Sequence, residues 1–85
     1  MIRIDINNSY IAYAFKAAYE QLYEPAQREY DFANNREVHD YWIGRILELL
    51  EAEHHFTIIR DDGNMAEALE FENESDLIVF RLKYV

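Results

Sequence analysis

Residues 36–72, REVHDYWIGRILELLEAEHHFTIIRDDGNMAEALEFE, pass from a helical hydrophobic period into a β-branched run and a turn, and this change decides the fold. An apolar stripe at helical spacing predicts a helix over 36–54 with Asn35 as its N-cap; the stripe consists of Val38, Trp42, Ile46, Leu49 and Leu50. The β-branched run at 56–60 ends in Asp-Asp-Gly-Asn at 61–64, which favours a hairpin turn. We therefore expect a hairpin over 55–72, although the composition of 65–72 also suits a helix.

The segment before this region predicts a strand and two helices. Ile2, Ile4 and Ile6 alternate with charged residues, which is typical of a half-buried strand over 1–6. A stripe of apolar residues then predicts a helix over 9–23. Pro25 disfavours the helical region for Glu24, so the helix is expected to end there and a second, short helix to cover 25–33.

The C-terminal segment predicts a fourth helix over 74–84. Asn73 and Asp76 have the spacing of a cap, and Leu77, Phe80 and Tyr84 fall on one helical face. A strand is the alternative, because Ile78, Phe80, Leu82 and Tyr84 also alternate. The predicted fold class is α+β, with a small three-stranded sheet and four helices.

The composition predicts one domain, 1–85, since a chain of 85 residues buries only one modest core. Cysteine is absent, and the charged N-terminus leads into no long apolar stretch, so we expect a cytoplasmic protein with no signal peptide and no membrane span. The net charge of −9 weighs against direct binding to nucleic acid or to an anionic membrane, because both recruit Lys and Arg.

The negative charge is unevenly distributed. The acids and bases of 1–47 and 77–85 cancel, so the whole excess lies in 48–76, where Arg60 is the one Lys or Arg. Its acids include Glu48, Glu51, Asp61, Asp62, Glu67, Glu70, Glu72 and Glu74. In addition, Glu37, Asp40, Glu48 and Glu51 recur every three or four residues and would share one face of the long helix, apart from a gap at Gly44.

Such a row of carboxylates suggests a nucleic-acid-mimicking decoy that attracts a basic nucleic-acid-binding surface. The alternative is a solvated acidic face that keeps the protein soluble, with ordinary helix pairs between Arg36 and Asp40 and between Arg45 and Glu48. The aromatic residues suggest a second contact surface. Tyr10, Tyr13 and Tyr19 belong to a tyrosine-rich helix that could support a homodimer, or they cover the core with their hydroxyls in water.

No pattern predicts catalysis, a cofactor or a metal site. His39 and His54 are about four turns apart on one predicted helix and cannot share a metal, and His54 and His55 suit the C-terminal end of the helix dipole. The Asp-Asp-Gly-Asn segment lacks the alternating ligands and terminal Glu of a calcium loop. With two glycines and no cysteine, the chain offers neither a phosphate-binding loop nor a thiol nucleophile, and we expect no enzyme.

The segment Phe71–Asp76 followed by Phe80-Arg81-Leu82-Lys83-Tyr84 resembles the ending of many small tailed-phage proteins. The resemblance covers about fifteen residues of 85. It implies a viral origin, and with it a counter-defence role in the host cytoplasm, in which a compact acidic protein inhibits a host nucleic-acid-binding or defence protein. The alternative is a structural or accessory phage protein that self-associates through its tyrosine-rich helix.

Overall fold

The computed structural model describes residues 1–63 and 65–84. Asn64 of the predicted turn lies outside the described residues. The elements are β1 (Ile2–Asp5), α1 (Ser9–Glu29), α2 (Arg36–His54), β2 (Phe56–Arg60), β3 (Ala66–Phe71) and α3 (Glu74–Lys83). The α+β fold with a three-stranded sheet is confirmed, and both the strand at β3 and the helix at α3 agree with the preferred sequence interpretation.

Asparagine side chains cap all three helices. The Oδ1 atoms of Asn8, Asn35 and Asn73 accept backbone N–H groups of the first turns of α1, α2 and α3. Each bond satisfies one of the N–H groups that a helix N-terminus leaves without an intrahelical acceptor. These local bonds set where each helix begins.

The prediction of separate helices over 9–23 and 25–33 is wrong, because α1 runs without a break from Ser9 to Glu29 and includes Pro25. Proline has no N–H to offer the carbonyl of Gln21 one turn earlier. Both residues are exposed, so water can hydrate that carbonyl and the helix tolerates the loss. Beyond α1, residues 30–34 form turns, in which Phe32 is buried against Tyr23.

The sheet is antiparallel, with the strand order β1-β3-β2. Ile4, Leu69 and Ile58 are register partners across the three strands, and they belong to the core formed with the helices. Since side chains alternate along a strand, the row of Arg3, Glu70 and Thr57 points to the opposite face, away from the core. The helices therefore cover one face of the sheet and leave the other polar.

The largest fully buried side chains come from every helix and from the central strand. They are Ile11, Ile46, Leu50, Leu69, Phe71 and Phe80. An aromatic cluster joins the end of α2, the start of β2 and α3, with ring centroids 4.8 to 6.0 Å apart; its members are His54, Phe56, Phe71, Phe80 and Tyr84. Burial of these rings fixes α3 on the sheet. Within the described chain, no helix combines the length and hydropathy of a membrane-crossing segment.

Candidate functional site

The predicted carboxylate row of α2 is interleaved with cations. Oδ2 of Asp40 lies 3.8 Å from Nε of Arg36, and Oε2 of Glu48 accepts a hydrogen bond of 3.3 Å from Arg45. Glu37 is exposed in the first turn of α2. These exposed pairs agree with the expected helix pairs and leave this face of α2 mixed in charge, which weakens its likeness to a row of phosphates.

Glu51, the fourth member of the row, has a structural role. Its Oε2 accepts the backbone N–H of Ile58 at 2.9 Å, and its Oε1 lies 3.9 Å from Nη2 of Arg60. Only 29% of its side chain is exposed. Because β2 is an edge strand, this bond gives a partner to an N–H that the sheet does not pair. We therefore leave Glu51 out of the contact surface considered below.

The hairpin carries its acids at the turn and along β3. Oδ1 of Asp61 accepts the N–H groups of Gly63 and Met65, each at 2.9 Å, so this carboxylate shapes the turn. Asp62, next to it, is exposed. Ile59 pairs with Ala68 and Arg60 with Ala66, which leaves Glu67 as the extra residue of a bulge with its side chain in solvent.

The acids at the other end of β3 lie where the strand leads into α3. Glu70 is half-buried on the polar face of the sheet, opposite Arg3, while Glu72 and Glu74 are exposed. At about 3.3 Å per residue, the distance from Glu67 to Glu72 along the strand is roughly 16 Å. We call Asp62, Glu67, Glu70, Glu72 and Glu74 the hairpin carboxylates; they follow one another along the chain from the turn, through β3, to the first residue of α3.

The three tyrosines of the predicted aromatic surface do not lie together. Tyr13 is 70% exposed, and the Tyr10 ring lies 3.7 Å from the guanidinium carbon of Arg81 on α3. Tyr19 is half-buried between Phe15 and Tyr23, and burial, followed by the neighbouring Tyr23, raises its pKa to about 12. Tyr19 therefore belongs to an internal aromatic row, whereas Tyr10 and Tyr13 lie beside α3.

The outer face of α3 is apolar, a feature that the sequence analysis missed. Ile78, Val79 and Leu82 are 42%, 65% and 66% exposed, although Leu77 and Phe80 on the same helix are buried. The apolar run from 77 to 80 could have indicated it, because a run of that length cannot turn every side chain to one face of a helix.

A cleft of about 370 Å³ opens between α1, α2 and the turn end of the hairpin. Its walls are mostly apolar, with Lys16 as the charged residue among them; the other lining residues are Ile6, Phe15, Tyr19, Ile43, Leu47, Met65 and Ala66. It continues into a more polar recess of about 530 Å³ beside Arg36, His39 and Asp40. No pattern in the sequence indicates this cleft, because its walls come from elements that are far apart along the chain.

The histidines are separated by the fold. His39 packs edge-on against Phe32, at 5.3 Å between ring centroids, while His54 lies in the aromatic cluster and His55 is exposed. In residues 1–63 and 65–84, no three His, Asp or Glu side chains are grouped as metal ligands would be. Comparisons with models of protein families, with curated proteins and with solved structures find no match to this chain.

Proposed function

We propose that the protein acts by binding, as an inhibitor or nucleic-acid-mimicking decoy that engages the basic surface of another macromolecule through the hairpin carboxylates. One observation carries the proposal: residues 61–76 contain seven carboxylates and neither Lys nor Arg. Asp62, Glu67 and Glu72 in this segment are exposed. A cationic surface could therefore approach them without first displacing a neighbouring Lys or Arg of the same segment.

The physical effect is long-range attraction followed by local pairing. A net charge of −9 on a body with extents of 40 × 28 × 22 Å attracts a basic partner over about one Debye length, roughly 8–10 Å at physiological salt. Carboxylates carried by a turn, a strand and the first turn of a helix lose less conformational freedom on binding than those of a disordered acidic tail. The resemblance of the C-terminal segment to small phage proteins supports a host nucleic-acid-binding or defence protein as the target, met in the host cytoplasm.

The experiment compares two variants of equal net charge. Glu67→Lys/Glu72→Lys reverses two hairpin carboxylates, and Glu20→Lys/Glu24→Lys reverses two exposed carboxylates of α1 as the matched control. Each purified protein is immobilised and incubated with bacterial lysate at ~50 and ~200 mM salt, and the retained proteins are identified by mass spectrometry. The melting temperature of each variant checks that the fold is kept.

We expect the wild type and the α1 variant to retain the same basic protein at low salt. The amount retained should fall at least tenfold at high salt, and added duplex DNA should release the protein. The hairpin variant should not retain it. Equal retention by the two variants, or retention that is insensitive to salt and to DNA, would refute the proposal.

A second function, self-association in an accessory role, is favoured by a separate observation. The exposed rings of Tyr10 and Tyr13 line a recess together with Arg81 of α3, and the outer face of the same helix is apolar. Tyr19 does not contribute to this surface, because it is half-buried within the aromatic row.

A further inference from the structure

The helix α3 carries apolar side chains on two opposite faces. Leu77 and Phe80, together with Tyr84 directly after the helix, point into the core. At about 100° per residue, the outer stripe points the opposite way; it consists of Ser75, Ile78, Val79 and Leu82. Solvation of three large aliphatic side chains in a row is unfavourable, and such a patch is typical of an interface.

One flank of α3 borders α1. Arg81 lies over the Tyr10 ring, and both residues line the same shallow recess as Tyr13. Tyr13 is 70% exposed. The Arg81 side of α3 is therefore bordered by aromatic rings of α1, and such rings are suited to a protein contact because they bring a large area at a low cost in conformational entropy.

The charges beside the outer stripe form two self-complementary pairs. Acids occupy the first turn of α3 and bases its last turn. Residues seven apart are about two turns apart and lie on the same side of a helix. Glu74 and Arg81 therefore lie along one flank of the stripe, and Asp76 and Lys83 along the other.

We propose that α3 pairs with α3 of a second copy of this chain, antiparallel, about a two-fold axis. In an antiparallel helix pair each flank faces the same flank of the other helix. Glu74 then faces Arg81 of the second copy, and Asp76 faces Lys83 of the second copy. Each contact occurs twice, as two-fold symmetry requires.

The same charges oppose the parallel arrangement. In a parallel pair, each flank faces the opposite flank of the second copy. Glu74 then approaches Asp76 of the second copy, and Arg81 approaches Lys83 of the second copy. Like charges at this distance are destabilising. The charge pattern of α3 thus selects both the occupant of the apolar face and its direction.

The side chains of the stripe are also complementary in size. The midpoint of the stripe lies between Ile78 and Val79, so an antiparallel pair places these two residues against each other at the axis. The same register places Leu82 against Ser75 of the second copy, a large side chain against a small one. Lys83 already binds Glu53, and Arg81 lies over the Tyr10 ring. Both contacts are compatible with the new ion pairs, because an ammonium has three N–H donors and a guanidinium five.

The contact is small. A helix of ten residues and part of α1 provide less than the ~800 Å² per partner of a standard interface, so we expect a dissociation constant on the order of 10–100 µM. The dimer forms from purified protein without any basic partner. Glu74 takes part in both proposals, but self-association of the purified protein is measured without a basic partner, so the two proposals can fail separately.

Sedimentation of the purified full chain between about 10 µM and 1 mM tests the pairing. We expect the wild-type average mass to rise from 10.2 kDa towards twice that value. Leu82→Glu should remain monomeric, and Tyr41→Glu, which changes a residue of α2 with 64% exposure, should associate as the wild type does. Both changed residues are exposed, so an unchanged melting temperature is expected and confirms that each variant folds.

The orientation is tested with charge variants. Glu74→Lys and Arg81→Glu should each weaken self-association at least fivefold, and an equimolar mixture of the two should restore it, since every flanking pair in the mixed dimer is again of opposite charge. A parallel pair predicts the reverse for Glu74→Lys, which would associate more tightly. A wild type that is monomeric at 1 mM, a Leu82→Glu variant that dimerises as the wild type does, or tighter association of Glu74→Lys would each overturn the proposal.

Discussion

The hydroxyl of Tyr84 lies 2.9 Å from Nε2 of His54, a hydrogen bond that joins the last residue of α2 to the residue after α3. The side chain of His54 is only 4% exposed, with the Phe80 ring 4.8 Å away between centroids. A neutral imidazole suits this setting, because one ring nitrogen can accept the tyrosine O–H while the ring packs against apolar carbon. Burial of His54 therefore makes the junction of α2 and α3 sensitive to pH.

We expect the free energy of unfolding to decrease as the pH falls from about 7.5 to about 5.5. Burial lowers the pKa of His54 from its ordinary 6.5, and the opposing attraction of Glu53 is smaller. The unfolded chain therefore takes up the proton first, so the stabilisation is complete above pH 6.5 and is lost as the pH falls towards the folded-state pKa. Urea unfolding across this range measures the change.

The matched variant for this prediction is His54→Phe, which keeps a ring in the cluster and removes the titrating group. Its stability should change less between the two pH values than that of the wild type. The carboxylate of Glu53 does not interfere, since the hydrogen bond from Lys83 lowers its pKa below 4.5, outside this range. An identical pH dependence in the variant and the wild type would rule out His54 as the source.

Replacement of Glu51 by Ala should destabilise the protein by about 1–3 kcal/mol, because the change leaves the N–H of Ile58 at the edge of β2 without its acceptor. Glu48→Ala removes a carboxylate of the same helix whose ion pair with Arg45 is exposed, and it should cost less than about 0.5 kcal/mol. Glu51→Gln keeps an oxygen acceptor, so its loss of stability should lie between those of Glu48→Ala and Glu51→Ala. The urea midpoints of the three variants provide the comparison, and equal losses for Glu48→Ala and Glu51→Ala would contradict it.

The difference between Glu48 and Glu51 illustrates what the sequence could and could not predict. The caps at Asn35 and Asn73 and the turn at Asp61 depend on neighbours within a few residues, and these local signals placed α2, α3 and the hairpin well. The role of Glu51 depends on where β2 lies beside α2, and periodicity along one helix contains no such information.

Two other features needed the tertiary structure for the same reason. The position of His54 at a helix end predicts an interaction with the helix dipole. Its burial, however, depends on packing against Phe56 of β2 and against Phe80 of α3, which is distant in the chain. Pro25 was expected to end a helix, and the exposure of Gln21 one turn earlier, which makes the proline tolerable, is decided by packing. The charge of the hairpin, in contrast, can be counted from the sequence alone. The apolar outer face of α3 can be recognised only once the structure shows which side chains of the helix are buried.

Replacement of Gly44 by Ala should raise the free energy of unfolding by about 0.5–1 kcal/mol. Gly44 lies inside α2, and a Cβ built there meets nothing within 4 Å, so the gain in helix propensity has no steric cost to offset it. Gly63→Ala is the control, because it lies in the turn, where the added carbon would lie 3.4 Å from Oδ1 of Asp61 and no helix benefits. A destabilised Gly44→Ala protein would show that the cleft beside α2 is narrower than described.

His55 follows α2 in the left-handed region, with φ 58° and ψ 41°, and its N–H donates to the carbonyl of Glu51 at 3.1 Å. This conformation is costly for a residue with a Cβ and free of strain for glycine. His55→Gly should therefore stabilise the protein by about 0.5–1 kcal/mol, although glycine also gains entropy in the unfolded chain. His55→Val should destabilise it by about 1 kcal/mol or more, since a β-branched residue fits this region worst. Urea unfolding measures both variants, and an unchanged m-value separates this backbone effect from a change in the unfolded state. If the His55→Gly protein is less stable than the His55→Val protein, strain at this position is excluded.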